Sequence, residues 1–146
     1  MPGIRHEPAA PLLAEDGARD RLRSPRWADQ HGAAWIARLF ADPDALLLAA
    51  VADGAVVGHL VGAYQPASAM WLGARAELVS MHVLPGLRGQ GIGSRLVADF
   101  AAWGRERGAA RLHVTAYTAN AAAIRFYQRH GYAPELTVLA IDLRGA

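Results

Sequence analysis

Three glycines recur at every second position in "LPGLRGQGIGSRLVADF", Leu84 to Phe100: Gly89, Gly91 and Gly93. Apolar residues at helical spacing follow at once. Glycine weakens local order at the mouth of a helix, so a bare backbone there needs a reason. Free N–H groups converge at a helix N-terminus, and the helix dipole adds positive potential. Side chains would hold an anion off, whereas glycines let it reach the amides. With Arg88 adjacent, the stretch reads as an anion cradle more readily than as a tight turn with no ligand.

Several anion-binding chemistries are excluded. A dinucleotide fingerprint needs G-x-G-x-x-G and a carboxylate near the end of the next strand. Here Ser94 holds the sixth position, and the strand ending "VTAYT" offers no acid. A P-loop needs a lysine, and every one of the 15 basic residues is an arginine. That also removes a Schiff-base lysine. The chain has no cysteine, so disulfides, thiolate metal sites and a cysteine nucleophile are absent. What stands is Arg88-Gly89-Gln90-Gly91-Ile92-Gly93, an R-x-x-G-x-G pattern.

The elements that must position this loop are legible around it. "SPRWADQHGAAWIARLFADPD" predicts a helix with Ser24 as cap and Pro25 at its first position. Trp35, Ile36, Leu39 and Phe40 share one face, and Gly32 is a point where this helix divides in two. "ALLLAAVADGAVVGHLVGAY" predicts two strands joined by Asp53-Gly54, a strong hairpin signal. "AELVSMHVLP" is a third strand, stopped by Pro85. The helix after the loop places Ile92, Leu96, Val97, Phe100 and Trp103 on one side and ends at Gly108. "ARLHVTAYT" is a strand, and "NAAAIRFYQRHG" is a helix capped by Asn120 and stopped by Gly131. "LTVLAIDL" is a last strand. The whole, residues 1–146, is expected to be a single mixed α/β domain.

Composition sets outer bounds. The net charge of +2 and the scattered arginines do not argue for nucleic acid. No apolar run reaches the roughly 18 residues of a membrane span. "MPGIRHEPAAP" lacks the apolar core of a signal peptide, so a cytoplasmic protein with no membrane partner is expected. His6, His31, His59, His113 and His130 show no metal-ligand spacing, and no metal is assigned.

"SMHVLPGLRGQGIGSRLV" resembles the acyl-CoA-binding motif of the GNAT superfamily of N-acetyltransferases. "NAAAIRFYQRHGY" resembles that superfamily's next signature, N-x-x-A-x-x-x-Y-x-x-x-G-F/Y. The resemblance spans Glu77 to Tyr132. It implies a central, mostly antiparallel sheet with a splay between its middle strands, flanked by helices. It implies acetyl-CoA as co-substrate, with the pyrophosphate on the loop amides and pantetheine along Val79 to Val83. Carried over residue by residue, Met81, His82, Val83, Arg88, Gly89, Gln90, Gly91, Gly93, Ser94, Asn120 and Tyr127 line that co-substrate. The expected activity is acetyl transfer to a primary amine by direct attack in a ternary complex. The alternative is a non-catalytic acyl-CoA-binding or sensor module.

Acetyl transfer needs a neutral amine, a polarised thioester carbonyl and a proton for the departing thiolate. The resemblance implies that Tyr127 supplies that proton; the competing reading is a core aromatic beside Phe126. Asn120 is a good helix cap in its own right, and the resemblance adds a contact to pantetheine or the acceptor. Glu77 opens the strand that faces the co-substrate, and the resemblance implies a base there, acting through water. His82 is its competitor, with an ordinary pKa near neutrality. Alternation puts Glu77, Val79, Met81 and Val83 on one face and Ser80 and His82 on the other, a parity that a bulge would break. Only Ala133-Pro134-Glu135 separate Tyr132 from the last strand run. Family members often have a longer strand–loop–strand here, which helps wall the acceptor site. The short stretch leaves that side open and admits a homodimer whose second subunit supplies the wall. The acceptor amine itself is not legible.

Overall fold

The computed structural model describes residues 26–144. Ser24 and Pro25 lie outside them. Helix α1 spans Trp27–Ala41. It does not divide at Gly32: Trp27 packs edge-on against Trp35 across that turn, with ring centroids 5.6 Å apart, and Ile36 is buried. Packing of one face outweighs the roughly 1 kcal/mol that an interior glycine costs. Phe40, expected on the buried face, is exposed.

Strands β1 (Ala45–Ala52) and β2 (Ala55–Gln65) form the expected hairpin. Asp53 and Gly54 both take positive φ, 52° and 77°, as a turn matched to the strand twist requires. Strand β3 (Arg75–Val83) pairs antiparallel with β2, and β4 (Arg111–Val114) adds parallel to β3. The sheet order is β1-β2-β3-β4. Helix α2 (Ile92–Glu106) connects β3 to β4, and α3 (Ala121–Arg129) follows β4.

Helix α2 buries Leu96, Val97 and Phe100 against Leu60, Ala76, Leu78 and Val83 of the sheet. Gly104 lets it approach closely, since a Cβ there would sit 2.5 Å from Leu112 Cδ2. The helix stops where expected, with Gly108 at φ 77°.

Two further expectations are corrected. The β2–β3 register slips between Val61 and Gly62: Ser80 faces Val61 while Leu78 faces Gly62, leaving Val79 as the extra residue of a bulge. Strict alternation therefore fails. Leu78 and Val83 both join the α2-side core, with Met81 packed against it. Parity on either side of the bulge leaves Glu77, Ser80 and His82 on the opposite face.

The last predicted strand does not form. Leu136, Val138, Leu139, Ile141 and Leu143 are 83–91% exposed and belong to no helix or strand. An apolar, β-favouring run creates a strand only where a ladder partner is present, and among the described residues none pairs with this segment. Among the described residues, no helix is long and apolar enough to cross a membrane.

Candidate active site

The loop grows out of the end of β3. Leu84 and the single 3₁₀ turn Pro85–Leu87 break the strand. Arg88 Nε donates to the Val83 carbonyl at 3.1 Å, holding the loop against the strand it has just left. Gly89 and Gly91 then adopt φ of 84° and 82°, the left-handed region that side chains rarely tolerate. A Cβ at either would meet nothing within 4 Å. Arg88, Gly89, Gln90 and Gly91 are exposed, so the loop presents open backbone to solvent.

Gly91 is also the residue before α2, and no side chain caps this helix. The first i→i−4 bond runs from Arg95 N–H to Gly91 C=O. The amides of Ile92, Gly93 and Ser94 precede it and have no carbonyl one turn back. They converge at the positive end of the helix dipole. Gly93 plays a separate part: a Cβ there would lie 3.4 Å from Phe126 Cζ, an ordinary contact, so α3 rests close against this turn. Ser94 Oγ lies 3.1 Å from His130 Nε2, which ties the same turn to the far end of α3.

Strand β3 splays from β4 beside this loop. They pair only from Arg75↔Arg111 to Leu78↔Val114, so Val79–Val83 run on without a β4 partner. Asn120 caps α3, its Oδ1 accepting from Ala123 N–H at 3.2 Å. Two turns further, Tyr127 packs against the α2-side core with Phe126 and Tyr132, at ring distances of 5.2 and 5.7 Å. Burial, with a smaller contribution from Tyr132, pushes the Tyr127 phenol up to about 12. It therefore keeps its proton through the neutral range.

The structure thus brings Met81, Val83, the loop amides and Tyr127 to one side of the sheet. Glu77 stands on the other face, its Oε2 accepting from Gln65 Nε2 at 3.1 Å. His82 shares that face but is buried, with its ring 6.4 Å from that of His59. His59 Nε2 sits 3.0 Å from Ser80 Oγ. Burial first, then the neighbouring His82, lowers His59 to about 4, so it stays neutral near pH 7. This buried His59–Ser80–His82 group escapes sequence reading because its members meet only through the β2–β3 register. Gln65 escapes for the same reason. Among the described residues, no group of three or more acidic or histidine side chains could hold a metal.

A mixed sheet whose β3–β4 pairing ends beside a bare-amide helix start leaves backbone open to an anionic group. Residues 12–132 match the model of the acetyltransferase (GNAT) family, and the chain belongs to that family. A streptothricin acetyltransferase of Streptomyces lavendulae is 38% identical over 93 residues, which are 63% of this chain and 47% of that protein. The chain so spans about half the length of that relative. Among solved structures, a transcriptional regulator from Bacillus halodurans superposes with a TM-score of 0.76 at 25% identity, covering 94% of this chain and 93% of the other. The structure of AAC(6')-Iy with the bisubstrate analogue CoA-S-monomethyl-acetylneamine gives 0.74 at 18% identity, covering 96% and 92%. At that identity the likeness shows the fold.

Proposed function

We propose that this chain transfers the acetyl group of acetyl-CoA to a primary amine, by direct attack within a ternary complex. One observation carries the reading: uncapped α2 amides and the open Gly89–Gly91 backbone lie next to the splay beyond Leu78. The first suits a pyrophosphate, and the second admits a pantetheine arm against Val79–Val83.

The roles of the side chains follow from their faces. Tyr127 stands on the loop side of the sheet, where the thioester sulfur would arrive. Glu77 stands on the other face, from which an amine can approach the gap. The amine nitrogen bonds to the acetyl carbon as the carbon–sulfur bond breaks. Tyr127 gives its phenolic proton to the departing thiolate, and the amine's proton passes through water to Glu77. Neutral Tyr127 is the competent form, and its raised pKa secures it. Burial of His82 against His59 supports Glu77 over His82 as the proton acceptor.

The names of the relatives, a streptothricin acetyltransferase and an aminoglycoside N-acetyltransferase, make small amine antibiotics the first acceptors to assay. Free thiol released from acetyl-CoA is followed across antibiotic amines, small metabolite amines and peptide N-termini. Acceptor-dependent release is the expected result. Tight CoA binding with no release for any amine would instead mark a binding or sensor module.

A further inference from the structure

Two opposite charges share one face of β3 without meeting. Arg75 and Glu77 are two residues apart and precede the bulge at Val79, so both side chains leave the strand on the same side. That spacing, roughly 6–7 Å along a strand, is within reach of an Arg–Glu ion pair. Among the described residues no such pair forms. Each group is drawn elsewhere. Glu77 Oε2 accepts from Gln65 Nε2 at 3.1 Å. The Arg75 guanidinium stacks over the Trp71 ring, with Cζ 3.8 Å from the ring centroid. Trp71 is itself fixed by a turn: its carbonyl accepts from Ser68 N–H at 2.8 Å, and its N–H donates to Ser68 Oγ at 3.2 Å.

Arg75 is left with unused donors. Among the described residues it makes no hydrogen bond or ion pair. Its Nε is buried without a partner, and its other donors stand at the open end of a half-buried side chain. Arg111, opposite Arg75 in the β3–β4 register, is by contrast taken by Glu135 at 3.1 Å. We infer that Arg75 binds a carboxylate of the acceptor, so that the acceptor is a small amino acid whose reacting amine lies several bonds from its carboxylate. This rests on the acetyl-transfer reading above and names the acceptor class for it.

The chemistry fits a zwitterion laid along the strand. A guanidinium stacked on an aromatic ring has one face covered and keeps its N–H edge, which matches the two oxygens of a carboxylate. Glu77 lies on the same face, closer to the gap beyond Leu78 where β3 loses its β4 partner. The amine therefore points toward Glu77 and the gap, and the carboxylate points back toward Trp71. An acceptor carrying both charges satisfies both residues. A purely cationic amine meets Glu77 but is repelled by Arg75, and a simple anion meets the reverse. Gln65 and Trp71 keep the two protein charges from neutralising one another before the acceptor arrives.

L-lysine and L-ornithine are each compared with their carboxamides, which keep every amine and lack only the carboxylate. Thiol release from acetyl-CoA is one readout, and calorimetric binding to the protein saturated with CoA is the other. The free acids should exceed the amides by roughly 10–100-fold in kcat/KM, chiefly through KM, and by a similar factor in affinity, as a charge-assisted pair is worth. Arg75→Gln should bring the acids down to the level of the amides, and Arg75→Lys should restore part of the difference. Far-UV spectra and unfolding midpoints establish that both variants are folded. Amides equal to acids in the natural protein would overturn the inference. So would a preference for acids that survives Arg75→Gln, an equal fall of acids and amides in that variant, or no binding of either to the CoA complex. If no amine releases thiol, the acetyl-transfer reading fails, and the acid–amide difference in binding still decides the role of Arg75.

Discussion

A Cβ placed on Gly93 would touch Phe126 Cζ at 3.4 Å, which puts the first turn of α2 in direct contact with the side of α3. The same glycine-rich loop therefore serves two ends. Gly89 and Gly91 bend the backbone with open space around them, whereas Gly93 lies inside the helix and seats the helix that carries Tyr127. A contact of 3.4 Å still has room for one methyl. Gly93→Ala should fold with stability equal to or above the natural protein, because alanine favours helix by up to about 1 kcal/mol. Gly93→Leu should push Phe126 aside and lose about 1–3 kcal/mol. Urea denaturation of the two variants checks this; equal stability for both would mean that α3 does not rest on Gly93.

Gly91 separates backbone strain from ligand approach. Its φ of 82° penalises any side chain by about 1–2 kcal/mol. Gly91→Ala and Gly91→Val should thus be destabilised to a similar degree. CoA affinity should fall further for valine, whose branches block the amides. Calorimetry on folded protein reads this, with pantetheine as control. Loop amides that hold phosphates require CoA to bind more tightly than pantetheine, and require Gly91→Val to erase that difference.

His59 predicts an acid sensitivity. Its folded pKa of about 4 lies below the ordinary 6.5. The unfolded chain therefore takes up a proton near 6.5 that the folded chain refuses until about 4. Stability from this residue is fully present above pH 6.5 and is lost as pH falls towards 4, at up to about 1.4 kcal/mol per pH unit. His59→Gln keeps a hydrogen-bonding partner for Ser80 but cannot titrate. Unfolding midpoints from pH 7 to 4.5 should show a shallower decline for the variant, and parallel curves would assign the acid loss to other groups.

Tyr127→Phe keeps the ring and its contacts with Phe126 and Tyr132. Loss of a general acid costs roughly 10²–10⁴ in rate. The loss should fall on kcat and leave the acetyl-CoA KM nearly unchanged, because the hydroxyl acts mainly in the transition state. With the natural phenol at about 12, no basic limb from Tyr127 should appear in the kcat profile below about pH 11. A silent Tyr127→Phe at saturating acetyl-CoA would leave water as the proton donor.

Glu77→Gln retains a side chain that Gln65 can still hydrogen-bond. It should lower kcat while CoA affinity stays the same. An unchanged kcat would direct the search for the base to His82, or to solvent acting before the amine binds.

Local chemistry made much of this protein legible from its residues. Asp53-Gly54 can only turn, Gly108 and Gly131 end helices in the left-handed region, Asn120 caps α3, and the glycine loop announces bare amides at a helix start. Each is settled by a residue's own backbone preference, within a few positions of itself. What the sequence left open depends on partners distant along the chain. The extra residue Val79 exists only relative to β2, and it alone sets Glu77, Ser80 and His82 on one face. Gly32 stays helical because Trp27, Trp35 and Ile36 have surfaces to pack. Gly93 is a contact for Phe126, a residue 33 positions away, and not simply a third bare amide. Leu136–Leu143 has the apolar, β-branched composition of a strand, yet composition supplies side chains and no ladder. Backbone preference acts within a turn of chain, while pairing and packing need the surface that the rest of the fold provides.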